Sequence, residues 1–240
     1  TRDDGVIAFN DTRNNKTLAI DVNSGLPTTN VLCVAIDKRN QLWVGTAAGL
    51  RVLSSVDQFL QQDQLTVSNI VIQEGDLAQE LFYQQTINDI AVDGANRKWV
   101  GSNNGVWLIS EDATKIIQRF TVANSPLPSN NINTISIDNK TGDVYFGTEF
   151  GLVSFKSTAT EGTEKYNDVL VYPNPISSAS FSGTIAIKGL LENADVRFTD
   201  INGQLVYKTK ALGGQATWNG IDYTGHKPAP GVYLIFAADK

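Results

Sequence analysis

Short apolar runs, each closed by an aspartate and followed by a second run built around an aromatic residue, recur along the first part of the chain. Val31-Leu-Cys-Val-Ala-Ile36, Ile87-Asn-Asp-Ile-Ala-Val92 and Ile132-Asn-Thr-Ile-Ser-Ile137 have the length of buried strands and are too short for helices. Each meets Asp37, Asp93 or Asp138, whose carboxylate can start a turn by accepting nearby backbone N–H groups. The next strand carries Trp43-Val-Gly45, Trp99-Val-Gly101 or Tyr145-Phe-Gly147, and a second glycine, Gly49, Gly105 or Gly151, leads into a third strand at 50–53, 106–109 or 152–155. The paired glycines read as two permissive positions for a tight hairpin. Two units also begin with similar turns, Gly25-Leu-Pro-Thr-Thr-Asn30 and Pro126-Leu-Pro-Ser-Asn-Asn131, in which proline presets φ and asparagine tolerates left-handed geometry.

The aromatic anchors Trp43, Trp99 and Tyr145 stand 56 and 46 residues apart, a period that accommodates four short strands and variable outer loops. Three blades of four-stranded sheet are therefore expected over 25–155, with those aromatics filling the core between blades. Thr1-Arg-Asp-Asp-Gly5-Val-Ile-Ala-Phe9 matches the end of a unit, as in Thr148–Phe155, and propellers close with about four to eight blades. The expectation is an all-β chain whose residues 1–156 are the C-terminal part of a larger β-propeller, opening within a blade.

Composition shifts after Phe155, where 157–167 are polar and aperiodic and read as a linker. From 168 to 240, short alternating runs at 169–172, 184–187, 196–199, 204–207, 215–218 and 232–236 are separated by turn residues. They predict a small antiparallel Ig-like β-sandwich.

The repeat resembles the two-component-regulator propeller repeat, with its Gly-Leu-Pro lead-in, aspartate, Trp-x-Gly-Thr and closing Gly-Leu matched between residues 25 and 155. The second copy lacks the lead-in; the third inserts one residue and has Tyr145 in place of tryptophan. The C-terminal module resembles the type IX secretion sorting domain of surface and secreted proteins of the Bacteroidetes. That resemblance is carried by Pro173-Asn174-Pro175, Asp200 and Gly203, Trp218 and Gly220, and Gly231 with Tyr233, although the family continues one lysine-containing strand beyond Asp239-Lys240. Together the two resemblances imply a non-enzymatic, outer-membrane-associated cell-surface component of type IX secretion and cargo attachment, exported through the periplasm. Its implied partners are attachment-complex subunits, including a sortase-like peptidase, and anionic lipopolysaccharide. Two other readings share the pattern: secreted cargo with a ligand-binding propeller and a removable sorting domain, or the sensor region of a two-component receptor.

Composition narrows the chemistry. With 240 residues and 41% hydrophobic content the chain can bury a sizeable core, and no apolar run nears the roughly 18 residues of a membrane helix. A net charge of −6 argues against nucleic acid as a partner. The basic scatter of Lys188, Arg197, Lys208, Lys210 and Lys227 is a candidate local contact for anionic glycolipid, although a solvated strand face is the favoured reading. One histidine, one cysteine and no Gly-Lys-Ser phosphate loop leave no metal, cofactor or catalytic constellation to expect. His226 falls in an expected hairpin turn and Cys33 within an inner strand as a small hydrophobe. The pairs Asp3 with Asp4 and Glu111 with Asp112 lie in loops. Asp37, Asp93 and Asp138, one per blade, suit local capping better than calcium, which takes about six to eight oxygens in one place.

Overall fold

The computed structural model describes residues 7–11, 16–74, 77–166, 168–176 and 181–239. Asp3 and Asp4, the first six residues of the opening segment, Asn167 of the expected linker and the terminal Lys240 lie outside the described residues. The fold is almost wholly β and divides into two compact units. One contains the residues up to Val92, Asn96–Ile137 and Val144–Phe155; the other contains Asp93–Ala95, Asp138–Asp143 and the chain from Lys156 onward.

The first unit opens with β1 (Ile7–Asp11) paired antiparallel to β2 (Lys16–Ile20). Blade 1 follows as a meander of β3 (Val31–Ile36), β4 (Leu42–Thr46) and β5 (Gly49–Leu53). A single turn of helix, α1 (Gln58–Gln61), and the hairpin of β6 (Val71–Glu74) and β7 (Leu77–Glu80) form the loop to the next blade. Blade 2 has the full four strands, β8 (Ile87–Val92), β9 (Lys98–Ser102), β10 (Gly105–Ile109) and β11 (Ile116–Phe120). Blade 3 comprises β12 (Ile132–Asp138), β13 (Asp143–Thr148) and β14 (Gly151–Lys156). The expectation of four strands in every blade is thus corrected. Among the described residues blades 1 and 3 have three, and in blade 1 the fourth shrinks to one bridge between Val52 and Ser68.

Successive residues of a strand point to opposite sheet faces, and the middle strands use both. On β4, Leu42 and Val44 join Ile20, Leu26, Leu53 and Leu65 on one side. Trp43, between them, turns the other way and packs with Ile87, Ile90, Val100 and Ile109 of blade 2. The same step repeats one blade on: Trp99, 0% exposed, meets Ile132, Ile135, Val144 and Phe146 of blade 3. Its ring lies 6.0 Å from Phe120, 5.6 Å from Phe146 and 5.8 Å from Phe155 between centroids. Tyr145 departs from the sequence expectation. It occupies the tryptophan position but is 38% exposed, because no blade packs on that face of blade 3 among the described residues. Phe146, one residue on, is the aromatic that fills the core.

The two glycines of each repeat have different jobs, which revises their reading as a pair of hairpin permits. Gly49, Gly105 and Gly151 turn the hairpins at φ +140°, +103° and +135°. Gly45 and Gly101 lie inside strands and are required for space. A Cβ on Gly45 would overlap Cys33 Sγ and stand 2.7 Å from Ile87 Cγ2, and one on Gly101 would stand 2.8 Å from Ile132 Cγ2. In both, the crowding atom belongs to the first residue of the next blade's inner strand. Gly147 would crowd Thr134 of its own blade at 2.6 Å.

Blades 1 and 2 are also joined by a buried ion pair that the repeat pattern did not reveal. Asp37 starts the β3–β4 turn by accepting Arg39 N–H and Gln41 N–H at 2.9 Å each. Its other oxygen takes Trp43 Nε1–H at 3.2 Å and lies 2.7 Å from Lys98 Nζ, with both charged side chains 0% exposed. Lys98 also donates to Glu111 O at 2.8 Å and sits 4.6 Å over the Trp43 ring. Burial alone would raise the Asp37 pKa, but the bonds from Lys98 and from the Gln41 and Arg39 amides outweigh it and hold the carboxyl below its ordinary value of 3.8. Burial also lowers the Lys98 pKa, against the opposing pull of Asp37. Above this pair, Lys38 N–H reaches Asn96 Oδ1 at 2.8 Å and Arg39 pairs with Glu111 at 3.0 Å.

The second unit carries two three-stranded antiparallel sheets. β15 (Leu170–Tyr172), β16 (Ile185–Lys188) and β19 (Gln215–Trp218) form one; β17 (Asp195–Thr199), β18 (Leu205–Lys210) and β20 (Leu234–Ala238) form the other, with β17 central. Ile185, Ile187, Leu190, Val196, Phe198 and Trp218 fill one core between them. The segment expected as a linker is ordered here. Ser157, Ala159 and Thr160 are buried, Thr160 bridges Gly213, Thr163 bridges Leu191, and Glu161 N–H donates to Asn139 O at 2.7 Å. Backbone bonding orders it, which a polar, aperiodic sequence does not announce. No helix among the described residues is long and apolar enough to cross a membrane.

Two stability predictions follow from this packing. Trp99→Ala should cost the first unit about 3–5 kcal/mol, whereas Tyr145→Ala should cost under about 1 kcal/mol; urea unfolding followed by tryptophan fluorescence checks both. Asp37→Asn keeps the turn acceptor but leaves Lys98 buried without a counter-charge, and should cost about 3 kcal/mol at neutral pH. Because the folded-state pKa of Asp37 is depressed, its contribution is complete above 3.8 and is lost as pH falls below that value. The acid limb of a stability–pH profile should accordingly be shallower in Asp37→Asn than in the parent.

Candidate functional site

The inner strands begin beside the hairpin turns of their own blades, since Val31 pairs with Thr46 and Ile87 with Ser102. Backbone bonds fasten this end: Ala47 N–H to Asn30 O at 3.0 Å and Glu149 N–H to Asn131 O at 3.1 Å. Thr86 Oγ1–H to Ala47 O, at 3.1 Å, ties the second blade to the first. Here an open basin of about 470 Å³ is lined by Val31, Leu32, Asn88, Asn103, Asn131 and Asn133.

Leu32 and Asn88 hold the same repeat position, and at both the ladder slips by one residue: Cys33 pairs with Gly45, and Asp89 with Gly101. The residue between the paired positions is the extra one of a β-bulge, a device that re-aims a side chain. Asn88 Nδ2 donates to Asn103 Oδ1 and to Ile132 O, both at 2.8 Å, and so binds blade 2 to blade 3. Next to it, Asp89 Oδ2 accepts from Ile135 N–H at 2.6 Å and Thr134 Oγ1–H at 3.0 Å.

Sequence reasoning missed this basin. Asn88 and Asn133 each follow the first apolar residue of an inner strand, a recurrence that could have marked them. Asn131 was expected to supply a left-handed turn; instead it lines the basin, and the left-handed asparagines of the described blades are Asn40 and Asn96, at φ +61° and +58° in the aspartate-led turns. In those turns Asp93 accepts from Ala95 N–H at 3.0 Å, and Asp138 from Lys140 N–H at 2.9 Å.

The residues weighed for catalysis are dispersed. Cys33 Sγ–H points to Ile87 O at 3.7 Å, and burial, with the Asp89 charge behind it, pushes the thiol up to about 12, far from a usable thiolate. Glu111 pairs with Arg39, while the Ser110 hydroxyl and Thr114 N–H hold Asp112 down to about 2. His226 is exposed in the turn after Asp222, its N–H bonded to Asp222 Oδ1 at 3.0 Å and its ring to Thr224 Oγ1 at 2.9 Å. No group of three or more His, Cys, Asp or Glu side chains is placed to hold a metal among the described residues.

In the second unit, Asp200 starts the β17–β18 turn by accepting Asn202 N–H at 2.9 Å and Gln204 N–H at 2.8 Å, with Gly203 at φ +84°. Trp218 is buried against Phe198 (4.7 Å) and Tyr207 (5.8 Å), and its Nε1–H donates to Ile221 O at 2.7 Å across Gly220, which has φ +74°. Tyr233 packs edge-on to Trp218 and donates its hydroxyl to Ala229 O. Gly231 has open space around its α-carbon. The peptide bonds before Pro173 and Pro175, on either side of Asn174, are cis. The basic residues do not form one patch. Arg197 faces Lys208 and Asp195 faces Lys210 across β17 and β18, Lys188 lies on the other sheet, and Lys227 donates to Phe181 O at 2.8 Å.

Residues 25–48 match the two component regulator propeller family. Among solved structures, PorZ of Porphyromonas gingivalis, described as an essential surface component of the type-IX secretion system, aligns with 97% of this chain at 29% identity and a TM-score of 0.63. The extracellular domain of a hybrid two-component system from B. thetaiotaomicron aligns with 88% at 20% identity and 0.46. Virginiamycin B lyase from Staphylococcus aureus aligns with 87% at 14% identity and 0.40. Comparison with curated proteins returns no match. The chain spans 30% of the length of PorZ, and 30% of that of the two-component-system domain. With the repeat, the blades and an alignment that runs through both units, the chain has a β-propeller fold in its first unit and is similar to PorZ along nearly its whole length.

Proposed function

We propose that this chain is part of a non-enzymatic cell-surface component of type IX protein secretion and cargo attachment. Residues 1–156 serve as the binding scaffold and residues 168–240 as the sorting-type module. The observation that carries this reading is that the similarity to PorZ extends over 97% of the chain and so includes the second unit as well as the blades. A propeller repeat by itself would fit a receptor sensor equally well. The motif residues of 168–240 act locally as turn caps, turn glycines and the Trp218 anchor, which is how an address of fixed shape would be built. The component is exported through the periplasm to the outer-membrane surface. Its partners are attachment-complex subunits, a sortase-like peptidase among them, and anionic lipopolysaccharide.

Deleting residues 168–240 from the protein in its own cells tests this. The expected result is loss of surface display together with failure to anchor other cargo, with Gly220→Val producing a weaker form of both because a β-branched side chain resists φ +74°. Mislocalisation of this protein alone would assign it to secreted cargo. Normal display of the deletion variant, read by surface immunolabelling, would contradict a sorting role for 168–240.

A further inference from the structure

The basin at the starting end of the inner strands has the chemistry of a ligand site. Among the described residues its polar lining consists of four carboxamides, Asn88, Asn103, Asn131 and Asn133, and includes no ionisable side chain. Asn88 and Asn103 bond to each other, yet most of the hydrogen-bonding capacity of the group is unspent. Among the described residues, Asn88 Oδ1, the Nδ2 groups of Asn103 and Asn131, and both amide atoms of Asn133 have no protein partner. Two β-bulges at equivalent positions present Leu32 and Asn88 to the same space, at the cost of an interrupted ladder in each blade. Val31 and Leu32 give the basin one apolar wall.

From this arrangement we propose that the basin binds an uncharged, polyhydroxylated ligand, a segment of neutral oligosaccharide, and so supplies a specific site to the binding scaffold inferred above. Each sugar hydroxyl is both donor and acceptor, and a carboxamide offers both in a fixed plane. The apolar wall suits the C–H face of a pyranose ring. An anionic ligand would meet no cation in the described lining and would exchange its hydration for neutral amide donors alone. A peptide strand would seek an open sheet edge and pockets for alternate side chains, whereas this basin lies at strand ends. The inference rests on the reading of the blades as a binding module.

The test uses the full chain on a microarray carrying neutral hexose and N-acetylhexosamine oligosaccharides beside uronate- and phosphate-bearing ones. Retention on neutral spots is expected, with half-saturation at least tenfold weaker for Asn133→Ala and Asn103→Ala. Thermal midpoints should be unchanged for Asn133→Ala, since its exposed amide makes no hydrogen bond to the described residues. Absence of binding to every neutral glycan would overturn the proposal. So would retention confined to acidic glycans, neutral binding indifferent to both variants, or capture of extended peptides from a peptide array in place of glycans. Any of these could occur while surface display and cargo anchoring still depend on 168–240, so the two failures are separable.

Discussion

The first unit depends on one constraint: the middle strand of each blade must satisfy two neighbours at once. Alternation along β4 and β9 assigns Leu42 and Val44 to the preceding side and Trp43 and Trp99 to the following side, so blades 1 and 2 each offer a large aromatic to the blade that follows. Gly45 and Gly101 then let the next inner strand come within contact of the sheet. Remove the aromatic and the core between blades loses its largest member; fill the glycine and the next inner strand cannot close on it. The stack is quasi-one-dimensional in this sense, each interface resting on its neighbours alone.

Apolar stacking leaves the polar work to the strand ends, and the two ends differ. At the aspartate-turn end, charge is paired and sealed: Asp37 and Lys98 are fully buried, hydrogen-bonded to backbone and roofed by Trp43. Such a pair contributes little net stability compared with apolar packing, but it makes the wrong neighbour costly, since an unmatched buried charge is far worse than either. Lys98 stands where the other copies have Leu42 and Val144, so it marks one interface between otherwise similar blades. At the other end the amides that line the basin among the described residues are uncharged, open and incompletely bonded. Sealed charge suits a registering device, and open amides suit a recognition surface.

The second unit follows the same economy on a smaller scale. Phe198, Tyr207, Trp218 and Tyr233 form a chain of ring contacts through its core and over its edge. The turns that hold them, led by Asp200 and Asp222, are capped by their own carboxylates, which lie below or at the foot of backbone N–H groups in each case. Its shape is therefore set by short-range bonds around a compact aromatic core.

Much of this architecture was legible in the chain itself, because strand periodicity, turn-forming aspartates and hairpin glycines act over a few residues and leave local marks. The six strands of the second unit fall close to their sequence-derived positions for that reason, as do the aspartate-led turns of all three repeats. What depended on neighbours far along the chain was not legible. Tyr145 shares its repeat position with Trp43 and Trp99, yet its burial is decided by whether another blade lies against it. Nothing local to Lys98 marks its partner Asp37, 61 positions earlier, which only the fold brings to 2.7 Å. The ordered segment at 157–163 owes its place to backbone bridges that composition does not encode. The asparagine basin belongs to the same class: its residues come from three separate repeats, and only the stacking of blades, driven by apolar burial elsewhere, brings their amides around one space.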